Sequence, residues 1–132
     1  MGTTALLVMG GGALGALLRF ILDRTLLSVQ HDSTAKGRRA PAFSTGILLA
    51  NLFGSFLLGL FTVALSLGVM SDSGYAIWGV GLCGSLTTFS TFSVEVVTML
   101  RTHHGWQALF YVLGSILGGL VLGVLAALLI LG

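Results

Sequence analysis

Hydrophobic residues dominate four long stretches of the chain, and charged residues fall between these stretches or near their ends. Runs without a charged side chain cover residues 1–18, 40–71, 73–94 and 107–132. Because about 20 apolar residues in a helix span the hydrocarbon core of a bilayer, each run is long enough for a transmembrane helix. The pattern predicts an all-α integral membrane protein with helices over residues 4–27, 44–70, 75–100 and 106–131. We treat residues 1–132 as a single transmembrane domain.

Composition supports this class and argues against several others. Hydrophobic residues make up 55% of the chain and charged residues only 8%, whereas a typical soluble domain has about 25% charged residues. A formal net charge of +2 is too small to indicate nucleic-acid binding. The sequence has no metal-ligand cluster, no phosphate-binding glycine loop and no nucleophile beside a base, so we predict that it is not an enzyme. Cys83 is the only cysteine, which excludes a disulfide within the chain.

The distribution of basic residues predicts the topology. In the first segment they follow the apolar stretch, whereas a cleaved signal peptide would have them before it, so we interpret this segment as a retained helix. We predict a surface loop over residues 28–42 and short connections at 71–74 and 101–105. With four spans, the first and third connections share one side, which the positive-inside rule makes cytoplasmic and which leaves both termini outside. The basic residues on that side are Arg24, Lys36, Arg38, Arg39 and Arg101.

Small residues recur four positions apart, a spacing that lets helix backbones approach closely in a membrane. The pairs are Gly11 with Gly15, Ser55 with Gly59, Gly114 with Gly118, and Gly119 with Gly123. We therefore expect tight helix packing. Four such helices leave little interior for a pore, which favours an oligomer.

The third span is unusually polar. Residues 81–95 contain two glycines, six hydroxyl side chains and the carboxylate of Glu95. Irregular backbone at membrane depth is tolerated only inside protein or beside a watery cavity, and we predict a helix break near residues 84–88. A broken helix exposes carbonyl oxygens and amide hydrogens that can hold ions. The alternative is that the hydroxyls bond back to carbonyls one turn earlier and that the phenylalanines are ordinary core.

Other polar groups in the spans also have two interpretations. Asn51 either bonds neighbouring helices together or lines a pathway as a donor. Thr88 and Glu95 have the spacing of one helix face, although Glu95 could instead pair with Arg101 near the membrane interface. The aromatic residues near the predicted helix ends are interpreted as interface anchors. They are Tyr75, Trp78 and Trp106.

Three segments of the sequence are distinctive, namely G-G-A-L-G-A-L-L-R-F from Gly11, A-N-L-F-G-S-F-L-L-G from Ala50, and G-S-L-T-T-F-S-T-F-S-V-E from Gly84. Together they resemble the Fluc/CrcB family of fluoride channels. The resemblance covers all four helices, and the T-T-F-S-T-F-S run is its most specific part. It implies a fluoride-selective channel of the cell membrane that exports fluoride passively from the cytoplasm. It also implies two copies of the subunit inserted antiparallel, that is, a dual-topology dimer.

The resemblance also implies roles for particular residues. Arg19 would lie in the vestibule towards the aqueous mouth, and the backbone carbonyls of Gly84 and Thr87 would hold a central, structural Na⁺. The implied ion pathway comprises Asn51, Phe89, Ser90, Thr91, Phe92, Tyr111 and Ser115.

The sequence departs from the family pattern at three points. Ile47 replaces a common threonine, and Gly119 replaces a serine that some members have one turn after Ser115. The one-sided distribution of lysine and arginine also leaves room for a homologous partner subunit of opposite orientation. Two other functions stay open on the sequence. One is a small proton-coupled multidrug transporter that uses Glu95, and the other is a structural membrane subunit.

Overall fold

A computed structural model describes residues 2–35 and 43–132. The described residues form helices α1 (Gly2–Ala35), α2 (Thr45–Ser66), α3 (Asp72–Tyr75), a π-helix (Ala76–Cys83), α4 (Gly84–Leu86), α5 (Phe89–Arg101) and α6 (Gly105–Leu131). The third span therefore consists of consecutive pieces between Asp72 and Arg101. Four helical segments of the described chain are long and apolar enough to cross a membrane. The described residues form only helices, and the chain is a multi-pass membrane protein, as the hydrophobic pattern predicted.

The first helix is longer than predicted. It continues to Ala35 rather than ending near residue 27, because residues 28–35 contain neither glycine nor proline to stop it. The Gln30 Nε2 donates to the Phe43 carbonyl at 3.2 Å, which ties this extension to the chain just before α2. The predicted loop over residues 28–42 is thus wrong for its first eight residues. Its remainder, including Lys36, Arg38 and Arg39, lies outside the described residues.

The other helix boundaries have local causes. Helix α2 begins after Ser44, whose side chain accepts a hydrogen bond from the Ile47 amide at 3.3 Å. It ends at Ser66 rather than near residue 70, because Gly68 adopts a φ of +70°, a left-handed conformation that stops a helix. The third span begins three residues before the predicted residue 75, where Ser71 caps Asp72–Tyr75. Helix α6 lies within one residue of its predicted bounds.

Glycines bring α1 against the first half of the third span. A Cβ atom built on Gly11 would lie 2.5 Å from the Ile77 carbonyl oxygen, and one on Gly15 would overlap the Leu82 carbonyl oxygen. Only glycine fits at these two positions without moving backbone atoms. The predicted close packing of this pair is confirmed.

A second close contact joins α2 to α6, and it fixes their register. Gly59 lies against the backbone of Gly123, and Gly119 lies against the Ser55 side chain. Position 55 on α2 contacts position 119 on α6, and position 59 contacts position 123. Residue numbers therefore increase in the same direction along both helices, which run parallel, as expected for the second and fourth spans of a four-span protein. The same register, continued by one turn, sets Ser115 level with Asn51. Gly114 has no atom within 4 Å of its Cβ position, so close packing is not confirmed there.

Candidate functional site

The third span breaks at two threonines. Thr87 has φ −77° and ψ 152°, and Thr88 has φ −146° and ψ 123°, both extended conformations between α4 and α5. This confirms the break predicted near residues 84–88. The alternative interpretation, in which hydroxyls bond back to carbonyls one turn earlier, holds for Thr87 and Ser93 and not for Thr88. The Thr87 hydroxyl bonds back to the Cys83 carbonyl at 3.0 Å, whereas the Thr88 hydroxyl caps α5 by accepting from the Thr91 amide at 3.4 Å.

Asn51 on α2 holds the broken backbone. Its Oδ1 accepts from the Thr88 amide at 2.8 Å, and its Nδ2 donates to the Thr88 carbonyl at 3.4 Å. The side chain thereby replaces partners that Thr88 would have in a continuous helix. Asn51 also lines the groove described below. The predicted role of Asn51 as a bond between neighbouring helices is confirmed, and its role in an ion pathway stays a prediction.

Arg19 on α1 reaches the same break. Its Nη1 lies 3.4 Å from the Thr87 carbonyl oxygen as a donor. The resemblance implied a location towards the aqueous mouth, whereas in the described subunit this guanidinium is directed at the break. A positive charge at this depth favours an anion nearby.

Two carbonyls at the break lack the donors that a continuous helix would supply. The Thr88 amide donates to Asn51 instead of the Gly84 oxygen, and the Thr91 amide donates to the Thr88 hydroxyl instead of the Thr87 oxygen. Gly84 is exposed and carries no side chain to cover its backbone. Backbone oxygens are suitable ligands for a hard cation. The Gly84 oxygen thus suits such an ion, whereas the Thr87 oxygen already accepts from the Arg19 guanidinium, which a sodium ion would have to displace or share the oxygen with.

An open groove with a volume of about 610 Å³ runs past the break. Four of the predicted pathway residues line it, namely Asn51, Phe89, Phe92 and Ser115. The other residues along the groove are Gly54, Ser55, Leu58, Tyr75, Gly79, Val80, Cys83, Gly84, Thr87, Thr88 and Ile116. The amino-terminal end of α5 therefore faces the groove, and the positive end of a helix dipole stabilises an anion.

The remaining predicted pathway residues lie elsewhere. Ser90 and Thr91 are exposed on the first turn of α5, and Tyr111 is buried, with 1% of its surface accessible. Tyr75 was interpreted as an interface anchor but lines the groove, where its hydroxyl is 3.4 Å from that of Thr62. Trp78 and Trp106 are exposed, as the anchor interpretation requires.

Aromatic rings extend from the groove into the subunit. The Phe89 and Phe92 centroids are 6.2 Å apart, and the Phe92 and Tyr111 centroids are 5.0 Å apart. Phe43, which the sequence did not identify, stacks on Tyr111 at 4.5 Å. Phe89 is 81% exposed at the groove. Its ring edges, which carry partial positive charge, are available to an anion or to a neighbouring subunit.

Glu95 accepts two hydrogen bonds, from the Tyr111 hydroxyl at 2.5 Å and from the Ser44 amide at 3.0 Å. The alternative pairing of Glu95 with Arg101 is not seen, because Glu95 bonds to α6 and the start of α2 while Arg101 is exposed. The Ser44 hydroxyl donates to Asp23 on α1. Sequence reasoning missed Asp23 and Ser44. Two signals in the sequence were available. Asp23 is a carboxylate four residues after Arg19, and Ser44 is a serine at the start of an apolar run.

Ser115 has the one buried side-chain polar atom without a hydrogen-bond partner in the described part of the chain. Because it lines the groove, its hydroxyl can donate to a bound anion without first losing another bond.

Comparison with known proteins identifies the family. Residues 6–127 match the family described as CrcB-like protein, Camphor Resistance (CrcB). The chain is 44% identical over 112 residues to the fluoride-specific ion channel FluC 2 of Moorella thermoacetica, covering 85% of this chain and 84% of that one. It is 38% identical over 115 residues to the fluoride-specific ion channel FluC 1 of Streptomyces avermitilis, covering 87% of this chain and 86% of that one. It is 39% identical over 120 residues to the fluoride-specific ion channel FluC of Gloeobacter violaceus, covering 90% of this chain and 89% of that one. These matches extend over nearly all of the sequence, and we conclude that the chain belongs to the CrcB family, the fluoride channels it resembled in sequence.

Proposed function

We propose that the chain is a fluoride-selective ion channel that exports fluoride passively from the cytoplasm across the cell membrane. The observation that carries the proposal is the broken third span beside an open groove. There, the amino-terminal end of α5, the Phe89 ring and the free Ser115 hydroxyl all offer positive or hydrogen-donating groups. Curated relatives named as fluoride-specific ion channels support the same function. A channel performs no catalytic step, so the protein is not an enzyme.

The direction of transport follows from the chemistry of hydrogen fluoride. In an acidic medium fluoride enters a cell as the neutral acid, and the more alkaline cytoplasm traps it as the anion. A passive pore lets the anion leave down its gradient and lowers its toxicity. The anion is strongly hydrated, so the pore must replace water with donors of modest strength and release the ion again.

The channel is a dimer of two antiparallel subunits in this proposal. The groove is open along the described subunit, and Phe89 and Gly84 are exposed at it although they sit within a membrane span. Polar backbone at that depth needs protein or water around it. A second subunit would enclose the groove. The family resemblance favours a second copy in the opposite orientation as the partner. The one-sided basic residues favour a fixed orientation for each subunit, which would make the partner a homologous subunit of opposite orientation instead.

A structural sodium ion at the centre of this dimer forms part of the proposal. Gly84 and Thr87 of each subunit would hold it through their backbone carbonyls, and it would supply positive charge that fixes the two breaks against each other. We expect the thermal unfolding temperature of the purified protein to be higher in sodium than in N-methylglucamine at equal ionic strength. Equal unfolding temperatures over a wide range of sodium concentration would contradict the site.

Fluoride efflux from liposomes tests the main function. Purified protein is reconstituted into vesicles loaded with fluoride, and release is read with a fluoride electrode beside a matched chloride experiment. We expect fast fluoride release and negligible chloride release. Release of neither ion from well-reconstituted protein would contradict a channel. Proton release on addition of a cationic drug would instead favour the multidrug transporter, which requires Glu95 to exchange protons.

A further inference from the structure

Ser55 occupies a central position between α2 and α6. It follows Asn51 by one helical turn, and it lines both the groove at the break and a second groove, also of about 610 Å³, that continues between these helices. Ser55 is the one hydroxyl residue shared by the two linings among the described residues. The two grooves also share Leu58 and Ile116, so the Ser55 hydroxyl is the shared polar group that an ion moving between them could contact.

The Ser55 hydroxyl fills the space of a missing side chain on α6. A Cβ atom at Gly119 would lie 3.0 Å from the Ser55 oxygen and 3.6 Å from its Cβ. The parallel register sets Ser115 level with Asn51 and Gly119 level with Ser55. On α6 the hydroxyl side chains thus stop at Ser115, while α2 presents one at the next level. Polar lining crosses from one helix to the other at this point.

We propose that Ser55 is a fluoride-contacting residue of the pathway, and that its hydroxyl replaces one that α6 lacks at Gly119. The inference rests on the proposed fluoride channel and assigns a residue that the family resemblance did not include. Fluoride would move from the level of Asn51 and Ser115 to the Ser55 hydroxyl and on into the second groove.

The present hydrogen bond of Ser55 is compatible with this role. Its hydroxyl donates to the Asn51 carbonyl one turn earlier, at 2.9 Å. That carbonyl belongs to the helix backbone, so it keeps its helical position when the hydroxyl turns away. A donor that can switch between a backbone oxygen and an anion binds the anion weakly. Weak contacts at successive sites are what conduction requires.

A structural role is the competing explanation, because Ser55 is also a small residue at a close helix contact. The experiment is liposome efflux of fluoride and chloride with four proteins: wild type, Ser55→Ala, Ser55→Ala/Gly119→Ser and Ser55→Ala/Gly119→Ala. The alanine at position 55 removes the oxygen that crowds position 119. The double variant with serine then returns a hydroxyl from the opposite helix, and the double variant with alanine returns bulk alone.

We expect Ser55→Ala to lower fluoride flux by about tenfold, the effect of losing one hydrogen bond to a charged group. The serine double variant should recover most of that flux, whereas the alanine double variant should not. Size-exclusion profiles and unfolding temperatures should be alike in all variants. Wild-type flux in Ser55→Ala would overturn the inference, as would equal recovery in both double variants, which would mean that packing alone matters. A wild-type protein that conducts no fluoride would contradict the proposed function instead.

Discussion

Replacing Asn51 tests how the third span is kept broken in the membrane. The Asn51→Ala variant removes the acceptor 2.8 Å from the Thr88 amide and the donor 3.4 Å from the Thr88 carbonyl. Thr88 is only 8% exposed, so water cannot easily replace both partners. The longer bond is weak by its geometry. The destabilisation should therefore come mainly from the amide left without an acceptor.

The expected loss of unfolding free energy in Asn51→Ala follows from the energies of two effects, a lost hydrogen bond between helices and a buried group left without a partner. A hydrogen bond between membrane helices contributes about 0.6 kcal/mol on average and about 1.7 kcal/mol at most, whereas an orphaned buried group costs about 1–3 kcal/mol. We expect Asn51→Ala to lower the unfolding free energy by about 1–3 kcal/mol. The upper half of this range applies if the Thr88 amide finds no other acceptor. At roughly 4 °C for each kcal/mol, thermal unfolding in detergent would detect this. Fluoride flux should fall in parallel.

The Asn51→Asp variant separates stability from conduction. An aspartate oxygen still accepts from the Thr88 amide, whereas its second oxygen replaces the weak donor to the Thr88 carbonyl by an acceptor. The unfolding temperature should therefore fall, but by less than in Asn51→Ala. An ionised aspartate at the groove would repel fluoride, and flux should fall well below the wild-type rate. If Asn51→Ala unfolds like the wild type, the hydrogen bonds to Thr88 do not stabilise the break. If Asn51→Asp conducts like the wild type, Asn51 does not line the pathway.

Three further variants test the aromatic groups, the buried carboxylate and the helix contacts. Phe92→Ile keeps apolar bulk but removes the ring edges, so liposome efflux of fluoride should fall while the size-exclusion profile is unchanged. Tyr111→Phe removes one of the two donors to Glu95 and should lower the unfolding free energy by about 1–3 kcal/mol, measured by thermal or denaturant unfolding. Gly15→Ala places a methyl group on the Leu82 carbonyl and should strongly reduce the yield of folded protein in detergent, measured by fluorescence-detected chromatography.

Each of these variants has a matched control in the chain. Phe110→Ile changes an exposed ring that does not line the groove, and it should leave fluoride efflux unchanged. Tyr75→Phe loses only a 3.4 Å contact to an exposed threonine, so its stability should hardly change. Gly114→Ala adds a methyl group where no atom lies within 4 Å, and it should fold normally. If a variant and its control behave alike, the corresponding contact has no special role.

Much of the architecture could be predicted because a membrane imposes simple rules. Apolar runs of span length located all four helices, and the density of glycine and hydroxyl residues after Gly84 located the break. The end of α1 could not be located in this way, because polarity marks the edge of the membrane and not the end of a helix. Residues 28–35 are mostly polar yet helical, and no glycine or proline interrupts them.

The candidate site was predictable only where its residues share one short segment. Phe89 and Phe92 are adjacent on a helix turn, and their neighbourhood follows from spacing. The two partners of Glu95 come instead from two separate segments of the chain, and Arg101 was considered as an alternative partner because it is close in sequence. Spacing reports neighbours within one helix, whereas Ser44 and Tyr111 reach Glu95 through the packing of α2 and α6 against α5. Asp23 and Phe43 were missed for the same reason.

The distribution of hydrogen bonds explains how a strongly hydrated anion could move along this groove. The most polar side chains at the break are already engaged, Asn51 with Thr88 and Arg19 with Thr87. Glu95, two turns further along α5, is engaged with Tyr111 and Ser44. They shape the site and cannot easily close around an ion. The groups left facing the groove are single hydroxyls and ring edges, each a modest donor. A pathway of many weak donors can replace the water around fluoride and still release it, whereas a free guanidinium or amide would hold the ion.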